Sequence, residues 1–167
     1  MAAAVVDANV LAVVEGSHPA ATTDCILACT ELLRTIQAGD SLLSIDDEAG
    51  ILGEYRRNAS TRGQLGPGGL FVVWLLQNRW NTAACEQVRI TPFSGSADGC
   101  DFAEFPTDAT LSTFDRDDRK YVAVARGSAF SPPIFNATDS GWWEHRAALA
   151  ANALDVRFVC PGLMPEG

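Results

Sequence analysis

Four acidic residues of this chain are spaced so that a parallel sheet could bring their carboxylates together. Asp7 ends an apolar segment and Asp139 directly follows another, and both segments predict buried parallel strands. Glu54 lies on a predicted helix after the second strand, and Asp118 opens a later helix. Because ligands of open parallel sheets bind outside the carboxyl ends of the strands, we expect Asp7 and Asp139 at one site.

Such a group of acids suits one kind of chemistry. Oxygen ligands without His or Cys favour Mg²⁺ or Mn²⁺, and crowded carboxylates without a cation raise one another's pKa. A bound divalent ion polarises a phosphate, lowers the pKa of an attacking water and stabilises the leaving oxygen, which is what phosphodiester hydrolysis needs. The candidate catalytic and metal-binding residues are therefore Asp7, Glu54, Asp118 and Asp139.

Each of these acids also has an ordinary structural explanation. An Asp after a strand often caps a helix, as Asp7 or Asp139 could. Asp118 could complement a helix dipole, and Glu54 could pair with Arg57 on a solvated helix face. Because the structural explanation would have to hold four times in chain order, the joint interpretation as a site is stronger than any single member.

The rest of the chain alternates between strand and helix patterns. Strands are predicted at 3–7, 41–45, 88–91, 133–138 and 156–160. Helices are predicted at 24–38, 48–58, 70–80, 117–127 and 140–152, with a short helical piece at 110–114 and a long loop at 92–108. This order predicts a single α/β domain over 1–167, a three-layer α/β/α fold with a mainly parallel sheet of about five strands.

Composition restricts the class of protein further. With 167 residues, 47% of them hydrophobic, the chain can bury the core of one domain. Its net charge of 12 − 21 = −9 argues against a basic DNA-binding module, but bound cations could offset the acids of a nucleic-acid enzyme. The start lacks the positive charge of a secretory signal, and the longest apolar run, 70–76, is far below the ~20 residues of a membrane span. We therefore expect a cytoplasmic protein without a membrane partner.

The cysteines and histidines give no metal motif. The number of cysteines is odd, and no pair of them has zinc-ribbon spacing. We therefore expect buried free thiols. They are Cys25, Cys29, Cys85, Cys100 and Cys160. His18 and His145 lie far apart in sequence and are expected at the surface.

The order of the acidic motifs resembles that of the PIN domain. The chain shows a strand followed by Asp-x-Asn at 7–9, Leu-x-Glu-Tyr-Arg-Arg at 52–57, Asp-x-x-Asp at 115–118 before an apolar helix, and a strand followed by Thr-Asp at 138–139. PIN domains are the metal-dependent nuclease fold of many toxin–antitoxin ribonucleases and RNA-processing enzymes. The resemblance covers residues 5–159. No single motif is specific to PIN domains, but the order and spacing of the four motifs together are moderately specific.

The resemblance implies a role for each matched residue. Asp7, Glu54, Asp118 and Asp139 match the four family carboxylates, and Asp115 matches an accessory acid. Accessory roles are also open to Asn9 and Thr138, which could hydrogen-bond the carboxylates or a metal-bound water.

Two of these matches have rivals in the sequence. Asp117 competes with Asp118 for the third position, and the acids at 46–48 compete with Glu54. Gly141 stands where PIN domains often carry a further acid or Asn, which leaves open whether the site binds one or two metal ions.

The resemblance further implies an RNA substrate, with an antitoxin-type protein partner and a homodimer as options. Arg57, Arg119 and Lys120 flank the acidic motifs and could hold phosphates, or could equally be solvated helix charges. One alternative is a PIN-like protein-binding module with weak or no catalysis, which Gly141 and the negative net charge favour. A phosphatase of the haloacid dehalogenase type ranks last, because that family needs Asp-x-Asp and Asn9 occupies the third position.

Overall fold

The computed structural model describes residues 1–94 and 101–166. Its strands are β1 (Ala3–Val6), β2 (Leu42–Asp46), β3 (Cys85–Val88), β4 (Ile134–Asn136) and β5 (Val156–Phe158). Its helices are α1 (Ala8–Val14), α2 (Thr23–Gln37), α3 (Gly50–Asn58), α4 (Pro67–Asn78), α5 (Arg119–Gly127), α6 (Ser140–Glu144) and α7 (Arg146–Ala151). Short 3₁₀ turns lie at Ala109–Leu111, Arg116–Asp118 and Pro161–Leu163.

The five strands form one all-parallel sheet in the order β3-β2-β1-β4-β5. Parallel strands are covered on both faces, which is why β1 is apolar and buried along its whole length. Helices α1 to α4 contact one another, whereas α5 packs against β1, β2 and β4, and α7 packs against β5. The α/β fold class expected from the sequence is therefore confirmed.

This strand order creates a switch point between β1 and β4. From β1 the chain continues to β2 on one side, whereas from β4 it continues to β5 on the opposite side. Connections that leave two neighbouring strands in opposite directions open a crevice at the carboxyl ends of those strands. Asp7 follows β1 and Asp139 begins α6 just after β4, so both lie at this crevice.

Three features differ from the sequence-based expectation. Helix α1 was not predicted; it is buried almost all round and therefore has no amphipathic period. Strand β3 lies at Cys85–Val88 rather than 88–91, because these are the residues that pair with β2, and the carboxylate of its Glu86 accepts hydrogen bonds from the hydroxyls of Ser44 and Ser128. The helix expected at 140–152 breaks at His145, whose backbone leaves helical geometry and whose Nδ1 lies 2.8 Å from the carbonyl oxygen of Gly141.

The cysteines correct a further expectation. Cys25 and Cys160 form a disulfide between α2 and the segment after β5, so these two are not free thiols. Cys29 and Cys85 are free and buried as predicted, and burial raises the pKa of their thiols to about 12 and about 11. Cys100 lies outside the described residues. In the part of the chain that the structure covers, no helix is long and apolar enough to cross a membrane.

Gly69 in the first turn of α4 is a position where a side chain cannot be accommodated. A Cβ there would clash with the backbone carbonyl oxygen of Ser60, and the Gly69 N–H donates to Glu15 Oε1 at 3.0 Å. We expect Gly69→Ala to lower the free energy of unfolding by about 1–3 kcal/mol in urea denaturation. The control is Gly53→Ala in α3, whose Cβ would meet only Arg57 Nη1 at 3.7 Å and which should be neutral or stabilising. Equal losses in the two variants would contradict this account.

Candidate functional site

Asp7 lies at the centre of the candidate site, directly after β1. Its side chain is buried and caps α1, with Oδ1 accepting from the Asn9 N–H at 2.8 Å. Its Oδ2 accepts from Asn136 Nδ2 at 3.2 Å. Two hydrogen bonds thus fix both oxygens of a carboxylate that has lost most of its water.

The structure brings the other three predicted acids into the electrostatic field of Asp7. Burial raises the pKa of Asp7 to about 7, with further contributions from the charges of Asp139 and Glu54. Burial also raises the pKa of Asp118 to about 9, helped first by Asp7 and Asp139 and then by Asp115 and Glu54. The acids therefore share one poorly solvated space, from loops and helices that are distant in sequence.

Asp118 and Asp139 occupy the ends of helical segments around this space. Asp118 ends the 3₁₀ turn that leads into α5, and the described residues donate no hydrogen bond to its carboxylate. Asp139 caps α6, with Oδ1 accepting from the Gly141 N–H at 2.8 Å. A Cβ at Gly141 would lie 3.2 Å from the same oxygen, so any side chain at this position would be in close contact with the Asp139 carboxylate.

Glu54 differs from the aspartates because its carboxylate is already paired. Its Oε1 forms an ion pair with Lys120 Nζ, and its Oε2 accepts from the Tyr121 hydroxyl at 2.5 Å. The Tyr121 hydroxyl also accepts from the Ala8 N–H at 3.2 Å. Lys120 and Tyr121 thus connect α5 to α3 and to the start of α1, and they hold Glu54 beside Asp7.

Asn136 at the end of β4 holds the central side chains in place. Besides donating to Asp7, it accepts through Oδ1 from Asn9 Nδ2 at 3.3 Å and from the Asp139 N–H at 2.9 Å. Asn9 completes the link by accepting from the Ala137 N–H at 2.9 Å. The side-chain amide of Asn9 therefore holds the end of β4 in place, while the backbone N–H of Asn9 binds Asp7.

We expect Asn136→Ala to lower the free energy of unfolding by about 2–3 kcal/mol, because it leaves buried polar partners of a fully buried side chain unpaired. The comparison is Thr138→Ala. The Thr138 hydroxyl lies 3.0 Å from His18 Nε2 and not on a carboxylate of the site, so its loss should cost about 0.5–1.5 kcal/mol. Chemical denaturation measures both, and similar losses would contradict the central role of Asn136.

The three predicted phosphate-binding cations are placed differently from one another. Arg119 is largely buried, donates to Asp101 Oδ1 at 2.7 Å and lies over the Phe105 ring. Lys120 is occupied by Glu54, whereas the Arg57 side chain is 70% exposed, with Nη2 3.8 Å from Glu54 Oε1. Arg57 is thus the cation of the three that faces solvent beside the acids.

The rival acids have other surroundings. Asp46 is buried and accepts from the N–H groups of Gly50 and Ile51 at 2.7 and 2.8 Å, so it caps α3. Asp115 caps the 3₁₀ turn through the Asp117 N–H at 2.9 Å, and the Asp117 side chain is exposed. The principal charges that raise the pKa of Asp7 and Asp118 come from other acids of the chain.

The donor set fits a hard divalent cation by its chemistry. Four carboxylates crowd one space, and a cation would offset the repulsion that raises the pKa of Asp7 and Asp118. Within the described ranges the group whose ligand atoms already lie within 4.8 Å of one another is a different one, Cys25, Cys29 and Cys160. The carboxylate oxygens of the acids are therefore farther apart than those cysteine sulfurs, and a bound ion would draw the carboxylates closer together.

The contacts of Lys120 and Tyr121 with Glu54 are the part of the candidate site that the sequence did not reveal. The sequence placed Tyr121 on the core side of its helix and Lys120 among the substrate cations, while both bind Glu54. The sequence feature that could have indicated these contacts is the closeness to Asp118, which Lys120 follows by two residues and Tyr121 by three. No protein-family model, no curated protein and no solved structure matches the chain.

Proposed function

We propose that this protein is a PIN-like ribonuclease that uses Mg²⁺ or Mn²⁺ to hydrolyse phosphodiester bonds. The observation that supports this most is the placement of Asp7, Asp118 and Asp139 at the switch point between β1 and β4, where burial and mutual repulsion raise the pKa of Asp7 and Asp118. Open parallel sheets commonly bind ligands at such a switch point, and crowded carboxylates there favour a bound cation.

Within this proposal Asp7, Glu54, Asp118 and Asp139 hold the ion. When bound, the ion would activate a water and stabilise the negative charge that develops on the phosphate. Asn136 fixes Asp7, the Gly141 N–H fixes Asp139, and Lys120 with Tyr121 fixes Glu54. Arg57, exposed beside Glu54, binds a phosphate of the RNA.

The proposal extends to the setting of the protein. The proposed location is the cytoplasm. An antitoxin-type protein partner and a homodimer follow from the likeness to toxin–antitoxin ribonucleases. A cytoplasm is reducing, so the disulfide between Cys25 and Cys160 would be opened there. Because the disulfide can be present or reduced, the redox state of the purified protein must be controlled in every assay.

A second candidate is a PIN-like module that binds a protein and cleaves nothing. The internal pairing of two expected phosphate-binding side chains favours it: Arg119 binds Asp101, and Lys120 binds Glu54. In this case Lys120 would permanently supply the positive charge that a metal supplies in an active nuclease.

Incubation of labelled single-stranded and structured RNAs with the protein separates the two candidates. We expect cleavage with Mn²⁺ or Mg²⁺ and none in EDTA, with DNA of the same sequences run in parallel to define the substrate class. An absence of cleavage with both ions, in protein shown to be folded, would contradict the ribonuclease and favour the binding module.

A further inference from the structure

Three cysteines form a second cluster, which contains none of the four acids. Cys25 and Cys29 lie four residues apart on the same face of α2, and Cys160 faces both of them from the segment after β5. Cys25 is bonded to Cys160, and the Cys29 Sγ lies 4.0 Å from the Cys160 Sγ. All three side chains are buried, and all three sulfurs lie within 4.8 Å of one another.

We propose that these cysteines, once the disulfide is reduced, bind a thiophilic metal ion, with Zn²⁺ as the expected occupant. Zinc–sulfur bonds of about 2.3 Å in a tetrahedral site place the sulfurs roughly 3.8 Å apart. The distance from Cys29 to Cys160 already matches this, so only Cys25 must withdraw from Cys160 after reduction. Two ligands one helical turn apart lie on one face of the helix, where they can bind one ion.

The surroundings leave one coordination position open. A cleft of about 400 Å³ borders the cluster and is lined by Thr22, Cys25, Cys160 and Leu163, among others. Cys25 and Cys160 border the cleft, so a metal ion can enter there and a water can take the fourth position. Three protein ligands with an open fourth position differ from a closed structural zinc site.

The chemistry balances with a dithiol as the reductant. The dithiol gives two electrons and two protons to the bond between Cys25 and Cys160 and becomes a disulfide itself. The two resulting thiols of Cys25 and Cys160, together with the thiol of Cys29 that was free from the start, then release three protons as they bind the ion as thiolates. Soft sulfur ligands select zinc over magnesium, so this site and the acidic site take different metals.

The metal would replace the disulfide as the link between α2 and the end of the chain. The N–H of Cys160 donates to the Ala137 carbonyl oxygen at 3.3 Å, and the Val159 N–H donates to that of Asn136 at 2.8 Å. The segment that carries Cys160 therefore runs directly beside the residues that hold Asp7 and Asp139. Both states, oxidised and metal-bound, keep this segment attached.

Anaerobic titration of the reduced protein with Co²⁺ tests the proposal, because Co²⁺ bound to thiolates gives an intense charge-transfer absorption that carboxylates do not give. Every protein carries Cys100→Ser, so that the described cysteines account for the signal. We expect one equivalent of Co²⁺ to bind with this absorption, Zn²⁺ to displace it, and Mg²⁺ to leave it unchanged.

Two further variants make the result specific. Cys29→Ser keeps both cysteines that form the disulfide in the oxidised protein, and in the reduced protein it should weaken Co²⁺–thiolate binding more than about tenfold. Cys160→Ser removes another of the three ligands and should weaken it to a similar extent. Cys85→Ser removes a buried thiol on β3, outside the cluster, and should leave the absorption unchanged. No thiolate absorption in the reduced protein, or its persistence in both Cys29→Ser and Cys160→Ser, would overturn the proposal.

Discussion

Replacement of Asp7 by asparagine is expected to reduce metal-dependent RNA cleavage by more than about a hundredfold, since even the loss of a group that only orients a metal ligand costs 10–100-fold. The fold should survive, because asparagine caps a helix as well as aspartate does and can accept from the Asn9 N–H. The new amide would face the donor group of Asn136, but the substitution also removes a buried, repelled charge. RNA cleavage and far-UV circular dichroism measure the two effects.

Asp117→Asn is the matched control for the Asp7 variant. Its side chain is exposed, so solvent and salt screen its charge, and cleavage should stay within about threefold of the wild type. Activity retained by a folded Asp7→Asn protein would remove Asp7 from the site. A large loss in Asp117→Asn would mean that the third acid is Asp117 and not Asp118.

Asp118→Asn is expected to abolish cleavage and yet to stabilise the metal-free protein at pH 8. The pKa of Asp118 is raised from 3.8 to about 9 in the folded chain, so the folded state holds this proton more tightly than the unfolded state does. Stability from this group is therefore present below about pH 4 and is lost as the pH rises toward 9. Asparagine keeps the shape without the charge, and a gain of 1 kcal/mol would raise Tm by about 2–4 °C.

Thermal unfolding in EDTA at pH 8 and at pH 4 checks this prediction. The gain in Tm should be present at pH 8 and should shrink at pH 4, where Asp118 in the wild type is protonated when folded and partly protonated when unfolded. Addition of Mn²⁺ at pH 8 should raise Tm of the wild type more than that of the variant, because the ion binds the folded state. A lower Tm for Asp118→Asn at pH 8 would mean that its charge stabilises the metal-free fold.

The sequence was sufficient for most of the fold because apolar runs and helical periodicity are local signals. It failed at α1, whose residues are buried nearly all round and carry no amphipathic pattern. It also failed at the helix after Asp139, which is interrupted where His145 contacts Gly141. Both failures depend on tertiary contacts, which propensity does not contain.

The site was predictable to the extent that topology places it. Asp7 and Asp139 follow strands that meet at the switch point, and this needs only the alternation of strands and helices. The ion pair of Glu54 with Lys120 joins residues 66 positions apart, and the disulfide joins residues 135 positions apart. Topology brings strand ends together, but it does not show which individual side chains pair at this separation.

Titration of the protein with Mn²⁺ by calorimetry, beside Asp7→Asn and Asp118→Asn, tests most directly whether the four acids form a metal site. The protein is kept oxidised, so that Cys25 and Cys160 stay bonded and cannot bind the ion. The account predicts saturable Mn²⁺ binding that EDTA reverses and that each substitution weakens by at least about tenfold. An absence of Mn²⁺ binding to the folded wild type, or equal binding by all three proteins, would contradict it.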